Sequence, residues 1–231
     1  MRFLITIYTF LLLTFSIYSQ TDQLADDKTE KKKILVIPYV RLEFHTDIPI
    51  TEIATINKIS SNEVYKLYVN TFIETLQSSD DDNFEFITPE GYDLNKLQAK
   101  IRYDYNKKES YYAVSLNKIA QEDFKALLEK YHADLIVFIN WYRIKKSTVH
   151  VSNVGGKLRK PFTNHYIDFD IYDKFKRKIY GTGKYLIQSE LPTPSNYTYK
   201  NLRVKELVIG YHKFGTHLLD IIENPNQYIK N

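Results

Sequence analysis

The sequence predicts an α/β sandwich, with a mixed sheet of about five strands, helices packed on it and a long carboxy-terminal helix. Three observations predict this class. Two short apolar runs, Ile34–Val40 (ILVIPYV) and Asp134–Ile144, read as strands buried on both faces, as in a sheet covered by helices. Segments with helical spacing separate the strands. A cleanly alternating stretch, His165–Asp173, is followed by a returning partner, which gives an antiparallel hairpin.

In chain order, Pro38 cannot donate to a sheet ladder, so the first strand ends or reaches an edge there. Ser60-Ser61-Asn62-Glu63 has the form of a capping box, and Val64, Leu67, Tyr68, Phe72 and Leu76 follow at helical spacing. The helix stops near the acidic run Ser78–Asp82. Phe84–Ile87 is a short strand closed by Thr88-Pro89-Glu90-Gly91. Asp93–Leu116 is polar and tyrosine-rich, with a weak helical pattern through Leu94, Leu97 and Ile101; it reads as partial helix plus a long loop, an insertion at 93–116. Gln121–Tyr131 is helical.

In the strand after it, strict alternation puts Leu135, Val137, Ile139 and Trp141 on one side and Ile136, Phe138, Asn140 and Tyr142 on the other. A short edge strand over Thr148–Val151 and a loop at Asn153–Gly156 come next. In His165–Asp173, alternation gives His165, Ile167, Phe169 and Ile171 one face and Tyr166, Asp168, Asp170 and Tyr172 the other. Arg177–Ile187 returns beside it, Leu191–Ser195 links onward, and Asn201–Glu223 carries the strongest amphipathic stripe, ended by Asn224-Pro225.

The amino terminus has a different character. Arg2 precedes the apolar stretch Phe3–Tyr18, and Ser19 is a small residue at a cleavage position before Gln20. A charge held inside and an apolar segment that enters lipid are what export requires, so 1–19 reads as a signal peptide. Residues 20–33 are charged and read as a disordered spacer; 34–231 reads as one globular domain. The later apolar runs are too short to span a bilayer, so no transmembrane span is expected after cleavage. The expected location is periplasmic or extracellular.

Composition narrows the chemistry. The 231 residues include no Cys, which excludes a disulfide framework, a thiolate zinc site, a cysteine nucleophile and a lipoprotein anchor. A net charge of +4 makes no case for nucleic acid by itself. No HExxH or GxSxG motif occurs. Gly181-Thr182-Gly183-Lys184 fails as a phosphate loop, because Lys178 and Tyr185 stand where Gly and Ser/Thr are needed. No cofactor and no metal are expected.

Element order and phrasing resemble a group of bacterial envelope proteins that includes the curli-secretion lipoprotein, the outer-membrane activator of penicillin-binding proteins and the amino-terminal domain of TolB. The residues that carry the likeness are the opening ILVIPY strand, the His132-Ala133-Asp134 entry into an apolar strand, and the Ile167-Asp168-Phe169-Asp170-Ile171 strand. The chain departs from the group in lacking a lipidated Cys, in its 20 tyrosines and in the 93–116 segment. The resemblance implies a partner-binding or assembling envelope module without catalysis.

Candidate sites follow from residue type. Arg102, Tyr103, Tyr105, Tyr111 and Tyr112 cluster in a polar segment, a mixture suited to a protein or glycan interface. Asp168 and Asp170 share a strand face at roughly 7 Å between Cα atoms. That spacing suits two readings, a solvated face paired with Lys178 or Lys184, or a carboxylate pair for glycan hydrolysis. Glu43, His45 and Asp47 alternate and would share a face if extended. The expectation is an exported, non-catalytic protein that binds an envelope protein partner; the alternatives are a small periplasmic hydrolase using Asp168 and Asp170, or a self-assembling subunit.

Overall fold

A computed structural model describes residues 30–153, 156–187 and 202–228. The leader, most of the charged spacer and the Leu191–Ser195 linker lie outside these residues. The body begins at Lys32. Its strands are β1 (Lys32–Ile37), β2 (Phe44–Thr46), β3 (Phe84–Ile87), β4 (Arg102–Asn106), β5 (Tyr111–Ser115), β6 (Ala133–Asn153), β7 (Gly156–Asp173) and β8 (Lys178–Leu186). Its helices are α1 (Ile50–Asn57), α2 (Val64–Gln77), α3 (Gly91–Lys100), α4 (Gln121–Lys130), α5 (Val204–Glu223) and the short α6 (Pro225–Tyr228). The fold is mixed α/β, as the patterning predicts. Among the described residues no helix is long and apolar enough to cross a membrane.

The main sheet has six strands in the order β3-β1-β6-β7-β8, with β2 following β1 along the same side of β6. β1 runs parallel to β3 and β6; β6, β7 and β8 are antiparallel. β1 takes in Lys32 and Lys33, which composition alone places in the spacer, because their backbones pair with Phe84, Glu85 and Ala133. It stops at Ile37, immediately before Pro38.

Each face of the sheet carries its own core. One face packs Ile34, Val36, Val137, Ile139, Ile167, Phe169 and Ile171 against Tyr68, Phe72 and Leu76 of α2 and Tyr211, Phe214 and Leu218 of α5. The other packs Leu35, Ile37, Ile136, Phe138 and Tyr172 against Leu97, Phe124 and Leu128 of α3 and α4. Burying each large apolar side chain contributes roughly 1.5–3 kcal/mol, so two filled faces hold the sheet without disulfides.

Local signals place the helices. Glu63 reaches back to the Ser60 amide at 2.9 Å, completing the capping box; a single 3₁₀ turn over Ser61–Glu63 then leads into α2. The start of α5 has no side-chain cap of its own. Asn57 of α1 supplies one across the fold: its Oδ1 accepts from the Val204 amide at 3.0 Å and its Nδ2 donates to the Leu202 carbonyl at 2.7 Å. Helix α1 has no strong sequence signal and forms where Ile53 and Ala54 are buried.

Two expectations are corrected. In segment 93–116 the expected partial helix is α3, but the expected long loop is the antiparallel β4–β5 hairpin, with Tyr103 paired to Val114 and Tyr105 to Tyr112. Strict alternation along β6 also fails. Ile139 pairs with Phe169 but Trp141 pairs with Asp168, so Asn140 is an extra residue, a bulge. Beyond it the faces exchange. Tyr142 joins the α2/α5 core, where its hydroxyl hydrogen-bonds His165 Nδ1 at 3.0 Å and the Tyr211 hydroxyl at 2.9 Å. Trp141 turns to the opposite face.

Helix α5 approaches the end of the β8 segment closely. A Cβ on Gly210 would lie 2.0 Å from the Ile187 carbonyl oxygen, a backbone atom that cannot step aside. Gly210→Ala is expected to destabilise the protein by about 2 kcal/mol or more, because the gain in helix propensity is smaller than the cost of moving a buried helix. Chemical denaturation measures it; an unchanged midpoint would remove the close approach.

Candidate functional site

The alternation of β7 brings Asp168 and Asp170 to the α3/α4 face, as expected, but the face is not solvated there. Both side chains are fully buried. The β4–β5 hairpin lies over them, and β5 presents its free edge to the two carboxylates. Asp168 Oδ2 accepts from the Tyr112 amide at 3.0 Å, and Asp170 Oδ2 accepts from the Val114 amide at 2.7 Å. Amides two residues apart on one strand edge have the same spacing as carboxylates two residues apart on another strand. The aspartates therefore satisfy a strand edge as a neighbouring strand's carbonyls would.

Further bonds tie in the neighbouring strands. Asn140, placed by the bulge, donates through Nδ2 to Asp170 Oδ2 and to the Tyr112 carbonyl, each at 2.8 Å. The Tyr111 hydroxyl donates to Asp170 Oδ1 at 3.0 Å. Burial first, and then the charge of Asp170, pushes the Tyr111 phenol well above its ordinary value, so it remains a donor. Charge balance comes from Lys178, 2.6 Å from Asp170 Oδ1, and Arg143, 2.7 Å from Asp168 Oδ2. Lys178 is one of the two partners the sequence suggests. Gly181, across the ladder from Asp170, leaves room for this group: a Cβ there would lie 2.1 Å from Asp170 Oδ1.

Seen this way, Asp168 and Asp170 cannot serve as a hydrolytic pair. Neither is exposed, and three of their four oxygens are engaged by the hairpin, Asn140, Arg143 and Lys178, while Asp168 Oδ1 is buried without a partner. A glycosidic bond has no access between them.

Above this joint the hairpin builds a column of rings. His45 of β2 stacks on Trp141 of β6 at 4.2 Å between centroids and 9° between planes. Tyr112 of β5 stacks on Trp141 at 3.9 Å and 4°. Two coplanar rings that close to one indole would overlap if they shared a side, so His45 and Tyr112 occupy opposite faces of Trp141. Tyr105 of β4 leans on Tyr112 at 5.1 Å. The Arg143 guanidinium lies 5.5 Å from the Tyr112 ring centre and 5.9 Å from that of Trp141, so one cation supports both the column and the buried Asp168. His45 Nε2 lies 2.8 Å from the Leu42 carbonyl, and the Leu42 side chain stands out at 81% exposure.

The structure thus divides the predicted binding cluster. Tyr105 and Tyr112 enter the column. Tyr111 is fully buried and fastens the hairpin. Tyr103 packs against the α3/α4 core. Arg102 is exposed and turns back to the Ala99 and Ile101 carbonyls. Sequence reasoning missed His45, Trp141 and Arg143 as companions of these tyrosines; without the bulge, Trp141 belongs to the wrong face. Glu43, His45 and Asp47 do not converge. Glu43 sits in a 3₁₀ turn, His45 stacks on Trp141, and Asp47 accepts the Lys146 amide at 3.1 Å.

Asp170→Asn is expected to loosen the hairpin, since an amide cannot accept from all four donors. A loss of about 2–3 kcal/mol follows from buried donors left unpaired. Trp141 is the single tryptophan, so its emission reports the same event: it shifts to the red as Tyr112 leaves its face. Unchanged emission and stability would remove Asp170 from this role.

Comparison with known proteins adds little. No family model matches the chain, and no curated protein matches it. A solved structure described as a putative neuraminyllactose-binding hemagglutinin homolog from Helicobacter pylori is similar at 11% identity and a TM-score of 0.37, over 86% of this chain and 91% of that one. At that distance nothing is carried over from it.

Proposed function

We propose that this chain is an exported, non-catalytic envelope domain that captures a protein partner on the His45–Trp141–Tyr112–Tyr105 column. The observation that carries the proposal is the column itself, a partly exposed aromatic surface backed by a buried polar joint. Ring stacking of this kind holds side chains in place before binding, which lowers the entropy lost on association. Trp, Tyr and Arg are the residues that dominate protein interfaces when so supported. Export is supported by the Arg2 and Phe3–Tyr18 leader.

A sugar ligand is less well served. Carbohydrate stacks on an open aromatic face, and both faces of Trp141 are taken by His45 and Tyr112. What stands outward is the exposed His45, the half-exposed Tyr105 and the neighbouring Leu42. Those suit a protein surface with apolar pockets and hydrogen-bond acceptors.

A cross-linked pull-down from intact cells tests the proposal. The native chain is expected to recover one or two reproducible envelope proteins. Tyr105→Ala combined with His45→Ala is expected to weaken recovery at least tenfold, without changing the melting temperature by more than a few degrees, because both residues lie outside the two cores. Undiminished recovery by the variant overturns the column as the interface. Recovery of the chain itself alone shifts the proposal to self-assembly.

A further inference from the structure

The β4–β5 hairpin has two edges, and the sheet uses one of them. On β5 the Tyr112 and Val114 amides donate to Asp168 and Asp170, the Tyr112 carbonyl accepts from Asn140, and the Val114 carbonyl accepts from the Tyr172 hydroxyl at 3.4 Å. Both residues therefore point their main-chain groups away from β4. Main-chain direction alternates along a strand, so Tyr111, Ala113 and Ser115 bond across the hairpin, to Asn106, Asp104 and Arg102. On β4 the same parity turns the amides and carbonyls of Tyr103 and Tyr105 outward. β5 lies against β6, β7 and β8, whereas β4 lies mainly against β5, so the outer edge of β4 is the one farther from the sheet. Among the described residues no strand pairs there and no hydrogen bond reaches those four groups. Arg102, Asp104 and Tyr105 are exposed along it.

Native sheet edges are blunted by prolines, broken ladders or very short strands. The main sheet follows this rule at both ends. β3 has four residues and runs into Thr88-Pro89. β8 shifts register twice against β7 and holds Lys184 at φ 76°. β4 has no such device. Its register is unbroken over five residues, and it contains no Pro.

We propose that β4 takes an added strand: an extended segment of the partner protein lies along its outer edge and completes the hydrogen bonding of Tyr103 and Tyr105. This deepens the reading of the column as a partner surface and rests on it, since Tyr105 belongs to both. Main-chain bonds supply affinity in such additions, and alternate side chains supply choice. The segment that fits carries β-branched or aromatic residues beside Tyr103 and Tyr105, and a basic or hydroxyl side chain beside Asp104, because cross-strand pairs of those kinds attract. The buried joint holds β5 in place, so the edge is ordered before the segment arrives. A second copy of the chain is the poorer occupant. Antiparallel overlap of two whole β4 strands sets Asp104 opposite its own copy, and like charges there repel.

Random peptides of about twelve residues, displayed on phage and panned on the whole purified chain, are the probe. In the free chain, hydrogen-exchange NMR is expected to show the Tyr103 and Tyr105 amides exchanging faster than those of Arg102, Asp104 and Asn106, which bond across the hairpin. Selected peptides are expected to protect the Tyr103 and Tyr105 amides. Two variants separate the main chain from the ring. Tyr105→Thr loses the ring and keeps the amide; Tyr105→Pro loses both, and Pro is tolerated where an edge amide faces outward. The Pro variant is expected to bind the same peptides about tenfold more weakly than the Thr variant. Unshifted Trp141 emission in both shows the hairpin in place; where Pro shifts it, amide protection in the native chain decides. Panning that enriches no peptide, binding that leaves both amides unprotected, or equal binding by the two variants would each overturn the proposal. A dimer of the purified chain that Tyr105→Pro dissociates overturns it in favour of a second copy. The pull-down fails separately: an envelope partner recovered while these amides stay unprotected overturns the added strand alone, and peptides that protect them while no envelope partner is recovered overturn the envelope partner alone.

Discussion

Two aspartates acting as a strand edge are the constraint on which the outer part of this structure depends. A hairpin of two short strands is marginal alone in water. Here β5 gains its partner from side chains. Asp168 and Asp170 accept the Tyr112 and Val114 amides, and the two pairs match because both chains are extended and both steps are two residues long. The hairpin's share of the aromatic column, Tyr112 and Tyr105, is positioned by that match.

Burying two carboxylates is costly, and the fold offsets the cost in specific ways. Arg143 and Lys178 neutralise them, Asn140 and Tyr111 add hydrogen bonds to Asp170, and Gly181 leaves the space. Such an arrangement is a strong determinant of geometry and a modest source of net stability, since an apolar replacement could pack as well. Its effect is to hold the hairpin in one orientation. Arg143 links the two levels, holding Asp168 with one nitrogen while its cation lies over the Tyr112 and Trp141 rings. Surface chemistry and interior electrostatics therefore share a residue.

Stability comes from elsewhere. The two apolar faces of the central strands, covered by α2 and α5 on one side and by α3 and α4 on the other, supply the core. The tyrosine richness is partly interior: Tyr39, Tyr68, Tyr142 and Tyr211 are fully buried and edge or tilt against their neighbours. Tyr68 donates to the Leu202 carbonyl 2.8 Å away and the Tyr142 and Tyr211 hydroxyls meet at 2.9 Å, while the Tyr39 hydroxyl is buried without a partner. Tyrosine count alone thus overstated the binding surface, and Tyr111 is the clearest case.

The mixed α/β class, both central strands, the α2 capping box, the α4 and α5 helices and the two faces of β7 were all legible in the sequence by itself. Each rests on short-range periodicity, which local backbone geometry enforces. Tertiary structure alone decided the rest. The bulge at Asn140 exchanges Trp141 and Tyr142 between faces, and nothing in the local pattern marks it. Helix formation at α1 and strand formation at β4 and β5 depend on distant partners: Asn57 meets Leu202 and Val204, and Tyr112 meets Asp168. The residue types at Asp168 and Asp170 could be read as catalytic or solvated for the same reason. A carboxylate's role is set by what lies across from it, and that partner is more than fifty residues away along the chain.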